Sequence, residues 1–517
     1  MSESKWELLR TRSVWKGYYK DSSILDDIQE FTSETSAHGI KYIFEGPNRL
    51  VKLLFLIMWT GFSVYATFTI CTSIIVYVNK PTGTKFEVVA AADPSFKDHG
   101  IKFPTVTVCS TNKVKKSFLD AKENEIIKEY FDIIDTYNVE KSLDLGKRFE
   151  DPEDDMYSIR NMTYESLLEA GGPKPDRFLM CSQRAKYCNE LGAFNEKGYP
   201  HYYSMENSLI GRCWRVNPDG RLEGKMGDYG SLKLKFWADV QDYSERTADK
   251  ETHGFIVAFH DNETYGSTMF SGVLMSPGNY YKADLTLKET SYNKDKASSC
   301  NASLVNTTYG MYHEGACVLE CKDRSLNASC GCVNVLPPEN NGKYQACTLD
   351  VWAKCGLPHY KKWHADYSDT KRKESICPCQ VACIEKKYES DISSSSISPA
   401  YARKLFPVVN VILSNEAYGF SNSNFNISYS TPDDIIENMM VLEVIFTSMQ
   451  KLAVNEIITY DMGNLLGDIG GVLGLFLGAS VFTIFEFIIF GAICLSKVFQ
   501  KLIGRNDREY ESLNVQN

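Results

Sequence analysis

The chain has 517 residues, a formal charge of −10, and 24% charged and 43% hydrophobic residues. A soluble chain of this length would divide into several domains, and an acidic balance spread over a long middle region argues against a nucleic-acid binder without naming a partner. The mean hydropathy of −0.28 conceals two strongly apolar stretches, one near each end.

Residues 1–48 carry one local signal, His38-Gly39, which standing alone is no more than a glycine at a helix end. The first apolar stretch runs from about Leu50 to Val78, without charge between Lys52 and Lys80. It exceeds the roughly 20 residues that cross a hydrocarbon core, so residues 49–78 are expected to form a transmembrane helix. A signal peptide is not expected, because 49 residues precede the stretch and no small-residue cleavage site ends a short apolar core.

The middle, residues 79–459, holds 14 of the 16 cysteines, from Cys109 to Cys383; Cys71 and Cys494 sit in the apolar stretches. An even set confined to one region reads as a disulfide framework made in an oxidising compartment. Six Asn-x-Ser/Thr sequons, at Asn161, Asn262, Asn301, Asn306, Asn327 and Asn426, share that region and predict an extracellular glycoprotein domain. Zinc at Cys377-x-Cys379 and Cys330-x-Cys332 is the rival reading. Zinc sites prefer two or more intervening residues, and reduced thiolates do not suit the outside of a cell.

The second apolar stretch runs from about Leu465 to Leu495 within a predicted second span at 460–496, interrupted only by Asp468 and Glu486. As one helix it would extend roughly 46 Å against a core of roughly 30 Å, so it must tilt, break or leave the lipid. Lys41, Arg49 and Lys52 flank the first span, and Lys497, Lys501, Arg505 and Arg508 follow the second. The positive-inside tendency places both termini, including a tail at 497–517, in the cytoplasm.

Intramembrane carboxylates rarely face lipid. Asp468 and Glu486 are 18 residues apart, which on a straight helix is one face. The plain reading is a buried interhelical hydrogen bond; the sharper one is a water-filled pore lined by symmetry copies. Gly467, Gly470, Gly471, Gly474 and Gly478 give spacings of four that let helices approach. Gly478-Ala479-Ser480 then adds three small residues where a local break could turn polar groups toward a lumen.

Leu465-Leu466-Gly467-Asp468-Ile469-Gly470-Gly471 followed by Gly474-Leu475-Phe476-Leu477-Gly478-Ala479-Ser480 resembles the second-span signature of the degenerin/epithelial sodium channel/acid-sensing channel family. His38-Gly39 before the first span and Phe103-Pro104-Thr105-Val106-Thr107-Val108-Cys109 after it are similar to family features. The resemblance implies a trimer of two-span subunits, each with a disulfide-rich α+β ectodomain of palm, ball, finger (about 112–180), thumb (about 297–383) and knuckle. It implies Gly478, Ala479 and Ser480 as the selectivity belt, with Glu486 below it. Asn464, Gly467 and Asp468 would lie at the outer pore and gate, and His38 and Gly39 would be a cytoplasmic gating motif. A second acidic family position reads Ile489 here. The implied disulfides are Cys109–Cys213, Cys181–Cys188, Cys300–Cys383, Cys317–Cys379, Cys321–Cys377, Cys330–Cys355 and Cys332–Cys347, five of them stapling the thumb into a lever.

The expected function is an amiloride-sensitive, ligand-gated sodium channel of the plasma membrane. Its expected partners are sodium ions, membrane lipid and two further identical or related subunits, with no cofactor and no metal. The usual thumb aspartates are replaced after Cys355 by Gly356-Leu357-Pro358-His359-Tyr360, which turns the reading from proton gating toward a neuropeptide, as in FMRFamide-type channels. A cationic, aromatic, amidated peptide would suit Glu129, Tyr130, Phe131 and Tyr137, although Ile126, Ile127, Tyr130, Phe131 and Ile134 are also spaced as the buried face of an ordinary helix. Proton-gated or constitutively open channels of the same family are the alternative, and a two-pass adhesion or receptor protein without a pore is a second. No phosphate loop, nucleophile elbow or His-Glu-x-x-His motif points to an enzyme.

Overall fold

The computed structural model describes residues 24–90, 101–135, 137–183, 186–188, 203–218, 220, 222, 224, 226–245, 252–265, 271–293, 300, 306–369, 372, 375–414 and 431–514. The sequons at Asn301 and Asn426 lie outside them. Contacts divide the chain into two units, Thr84–Ile457 and the two ends Met1–Gly83 with Ile458–Asn517.

The central unit is built on two sheets. Its strands are β1 (Thr82–Ala90), β2 (Thr105–Ser110), β3 (Phe178–Gln183), β4 (Lys186–Tyr187), β5 (Tyr203–Ser208), β6 (Gly211–Val216), β7 (Leu232–Trp237), β8 (Phe255–His260), β9 (Val273–Met275), β10 (Asn279–Ser291), β11 (Ile384–Ser396) and β12 (Met439–Ile458). One sheet runs β11-β10-β12-β7-β3-β4, with β1 also paired to β12; the other runs β5-β6-β2-β8-β9. β10 pairs with β12 in parallel, while β10–β11, β12–β7, β7–β3, β3–β4, β5–β6, β6–β2, β2–β8 and β8–β9 are antiparallel. β2 is central in its sheet and every one of its residues is buried, which its β-branched Thr-Val-Thr-Val run suits. Trp214, Phe236, Phe255, Val106, Val108 and Phe446 belong to one apolar core that both sheets share.

Helices make the second core. Glu125–Ile134 and Val139–Arg148 pack with Glu314–Cys330 and the turns around Trp352, so that Ile127, Tyr130, Phe131, Leu145, Phe149, Leu326, Trp352 and Leu357 form one cluster. The helix Val139–Arg148 starts where the Asn138 side chain accepts from the Lys141 N–H, and Thr163 and Ser166 close a reciprocal capping box on Tyr164–Gly171. The unit contains seven disulfides: Cys109–Cys213, Cys181–Cys188, Cys300–Cys383, Cys317–Cys379, Cys321–Cys377, Cys330–Cys355 and Cys332–Cys347. Cys377 and Cys379 are thus bonded to different partners, and no zinc site forms there.

Between the short helix Leu349–Val351 and the helix Leu357–Ser368 the backbone takes one wide turn, Trp352–Gly356. A Cβ on Gly356 would lie 2.2 Å from Trp352 Cε3, and Trp352 is buried in the helical core. Gly356→Ala must therefore displace a core indole or distort the turn. Overpacking of this kind costs about 1–3 kcal/mol, and the expected result is a lower melting temperature of the full-length protein in detergent, read by fluorescence-detected size exclusion. An unchanged melting temperature would show that the turn relaxes freely.

Candidate ion pathway

Among the described residues, two helices are long and apolar enough to span a membrane, Arg49–Asn79 and the Val481–Phe499 part of Val481–Asn514; Met462–Leu477 is a shorter apolar helix. The second apolar stretch is therefore two helices, parted at Gly478-Ala479-Ser480. Asp468 and Glu486 lie on opposite sides of that break, so the straight-helix argument for a shared face does not apply to them.

The break follows from capping chemistry. Gly478 adopts a left-handed φ of 58°, the conformation that glycine supplies cheaply at a helix end. Its N–H and that of Ala479 both turn back to the Leu473 carbonyl. Ser480 then opens the next helix: its Oγ accepts from the Thr483 N–H at 3.3 Å, and its own N–H donates to Thr483 Oγ1 at 3.0 Å. This is a reciprocal capping box. The tract thus combines a helix stop with a helix start.

The segment before the first span closes on this break. The His38 N–H donates to the Leu477 carbonyl at 3.1 Å, and His38 Nδ1 lies 3.2 Å from the Gly478 carbonyl, where it must be the donor. A Cβ on Gly478 would fall 1.7 Å from His38 Nδ1, a second reason for glycine there. Gly39 itself has a φ of 88° and starts the short helix Ile40–Glu45. Glu486 Oε2 accepts from Thr35 Oγ1 (3.2 Å), the Ser36 N–H (3.1 Å) and Ser36 Oγ (3.1 Å). Further along, Phe31 stacks on Phe490 at 4.2 Å and meets Phe487 edge-on, and Lys497 pairs with the fully buried Asp27.

At the other end of the shorter helix, Asp468 accepts from Ser73 Oγ of the first-span helix at 3.4 Å and from the Tyr460 hydroxyl. Asp468 thus makes an interhelical hydrogen bond but stays exposed, where the plainer reading has it buried. The Asn464 amide donates to the Thr459 carbonyl at 3.2 Å, and its N–H is capped by Asp461. Nothing lies within 4 Å of where a Cβ would stand on Gly467, Gly470, Gly471 or Gly474.

The structure corrects the candidate ligand residues in the central unit. Tyr130 and Phe131 are 1% and 2% exposed and belong to the helical core, so the amphipathic-helix reading describes them and neither ring is open to a peptide. Glu129 is exposed and paired with Arg148 at 2.6 Å. Tyr137 is exposed, with a left-handed φ of 48°.

A cavity of about 50 Å3 lies between the β5-β6-β2-β8-β9 sheet and the helix Glu314–Cys330, lined in part by Glu206, His260, Tyr265, Tyr309 and Leu319. Burial pushes the Glu206 carboxyl above the usual range, with Arg215, 3.2 Å away, pulling against it. Burial also raises Asp323, against the opposing pull of Lys322 and the hydroxyl of Tyr309. His260 is held down to about 3 by burial and then by Arg215, so it is neutral. Sequence reading did not find Glu206 or Asp323, because nothing in a lone Glu or Asp announces burial. It also passed over Thr483, which the Ser480-x-x-Thr483 spacing does announce.

The profile of the family described as amiloride-sensitive sodium channel matches residues 31–490. The chain is similar to the bile acid-sensitive ion channel of Mus musculus, 24% identical over 89% of this chain and 86% of that one. It is similar to acid-sensing ion channel 1 of Gallus gallus, 25% identical over 90% of this chain and 84% of that one. A solved proton-activated chloride channel aligns over 86% of this chain and 99% of that one with a TM-score of 0.31 at 9% identity, too slight a likeness to bear on the fold.

Proposed function

The chain belongs to the amiloride-sensitive sodium channel family, and on that premise we propose that it is one subunit of a ligand-gated, amiloride-blocked, sodium-selective channel of the plasma membrane. Three copies, identical or related, surround one axis, with both termini cytoplasmic and the disulfide-bonded, glycosylated unit outside. The observation that carries this reading is the interrupted second span. Non-helical backbone at membrane depth is tolerated only against protein or water, and Gly478-Ala479-Ser480 is such a segment between two apolar helices. Three copies would turn it into a ring. The glycines with open space in a single chain support close approach of neighbouring copies. An adhesion protein gains nothing from such a break.

The gating ligand in this reading is an amidated, cationic neuropeptide. The support is electrostatic: Glu123, Glu125, Glu129 and Asp132 are all exposed on or beside the helix Glu125–Ile134, an acidic face that raises the local concentration of a cationic ligand. The test is voltage-clamp of cells expressing this chain alone, with amidated Arg-Phe peptides, acid steps and amiloride. A peptide-evoked sodium current blocked by amiloride, with none on acidification, is expected. Acid-evoked current without peptide response would overturn the peptide reading and leave the channel reading standing.

Glu206 favours proton gating as the second reading. Its carboxyl takes up a proton at higher pH than a free glutamate, so the pair with Arg215 is intact when Glu206 is ionised and is lost as pH falls through its raised pKa. If acid opens the channel by this route, Glu206→Gln, uncharged throughout, should show a smaller acid-evoked current than wild type. An equal current at every pH would remove Glu206 from the pathway.

A further inference from the structure

We propose that Thr483 is a positioning residue for sodium selectivity, transmitting the placement of the segment before the first span to the Ser480 hydroxyl; this rests on the pore reading above. Thr483 is 1% exposed although it stands in an otherwise exposed stretch of the second-span helix. Its Oγ1 has three neighbours within hydrogen-bond distance: the Ser480 N–H at 3.0 Å, Ser480 Oγ at 3.2 Å and Ser36 Oγ at 2.5 Å.

Hydrogen counting gives these contacts a direction. Ser36 Oγ donates to Glu486 Oε2, so the single hydroxyl hydrogen of Ser36 is committed to that contact. Ser36 Oγ is then an acceptor toward Thr483, and the Thr483 hydroxyl hydrogen goes to it. That leaves the Thr483 oxygen lone pairs for the Ser480 N–H at 3.0 Å and for the Ser480 hydroxyl hydrogen at 3.2 Å, while Ser480 Oγ takes the Thr483 N–H. One chain of donors therefore runs from the capping box at Ser480 through Thr483 and Ser36 to Glu486. Thr483 is its only member held out of solvent, so water does not replace its bonds when they are lost. In an isolated capping box either hydroxyl could donate to the other; with the Thr483 hydrogen drawn to Ser36, the Ser480 hydroxyl is set to donate to Thr483. A pore that strips ions of water depends on such fixed orientation of its polar groups. Thr483 touches no ion in this scheme.

The test measures the sodium-to-potassium permeability ratio from reversal potentials in cells expressing the full chain, with surface protein quantified by biotinylation. Thr483→Val keeps the shape and removes the hydroxyl. The expected result is a fall in the ratio of about three- to tenfold, the scale of one lost hydrogen bond, at unchanged surface level. Thr483→Ser restores the ratio, which a packing role for the methyl would not allow. Ser36→Ala added to Thr483→Val produces no further fall, because both cut the same chain. An unchanged ratio in Thr483→Val, in cells where Ser480→Ala lowers it, overturns the positioning role and leaves the pore in place. If Ser480→Ala also leaves the ratio unchanged, the pore assignment and this inference fall together. Should Thr483→Val not reach the surface, Ser36→Ala, at an exposed residue, cuts the chain one link along; an unchanged ratio there overturns the proposal as well.

Discussion

Ser480→Trp is expected to abolish sodium current while leaving the protein at the cell surface. Ser480 is exposed in the single chain, so an indole meets little in its own subunit. Loss of the serine N-cap costs about 0.5–2 kcal/mol, a small fraction of the stability of a domain-sized fold. On the proposed pore reading, bulk therefore acts where the copies converge. Three indoles about one axis would fill a passage that three hydroxyls leave open. Ser480→Ala separates the two effects, since it removes the cap without adding bulk and should reduce selectivity with current retained. The measurement is whole-cell current alongside surface biotinylation for wild type and both variants. Normal current and normal sodium preference in Ser480→Trp would refute the pore assignment outright.

How far the sequence could be read depended on whether a property is local or collective. The spans and the interrupted second stretch are local, because uninterrupted apolar length and a Gly-Ala-Ser run are visible residue by residue. The β2 run Thr105–Ser110 is local for the same reason. The disulfide pairing was implied by the family resemblance and by nothing in the cysteine positions, since 14 cysteines admit very many connectivities. The environment of the two intramembrane carboxylates was not legible. Each is engaged by residues far away in the chain, Glu486 by Thr35 and Ser36 and Asp468 by Ser73, and a helical projection of the second span alone contains none of them. The same blindness applies to Asp323, buried on the helix Glu314–Cys330, and to Glu206, half-buried at the cavity between that helix and the sheet. The pattern at Ile126, Ile127, Tyr130, Phe131 and Ile134 was legible, but it supported two functions of one stripe, and only burial decides between them.

That decision leads to the second large effect. Phe131→Ala is expected to cost about 3–5 kcal/mol, the range for removing a large aromatic ring from a packed core, and to deplete the protein from the cell surface. Phe131 is 2% exposed and packs edge-on against Tyr130 within the cluster that also holds Trp352 and Leu326. The ring thus belongs to the core shared by the helices Glu125–Ile134 and Glu314–Cys330, and its loss opens a cavity in that core. A ligand contact at Phe131 makes the opposite forecast: normal surface level, normal melting temperature and a peptide dose–response displaced to higher concentration. Glu129→Gln supplies the contrast on the same helix. Its exposed pair with Arg148 contributes about 0.2–1 kcal/mol at most, so that variant should reach the surface normally, and any displacement of its dose–response would report on the ligand alone. Measured together as surface level, melting temperature and peptide sensitivity, the two variants separate a residue that builds the helical core from one that would face a ligand. A Phe131→Ala channel at wild-type surface level and melting temperature, with only its peptide sensitivity altered, would return that ring to the binding site.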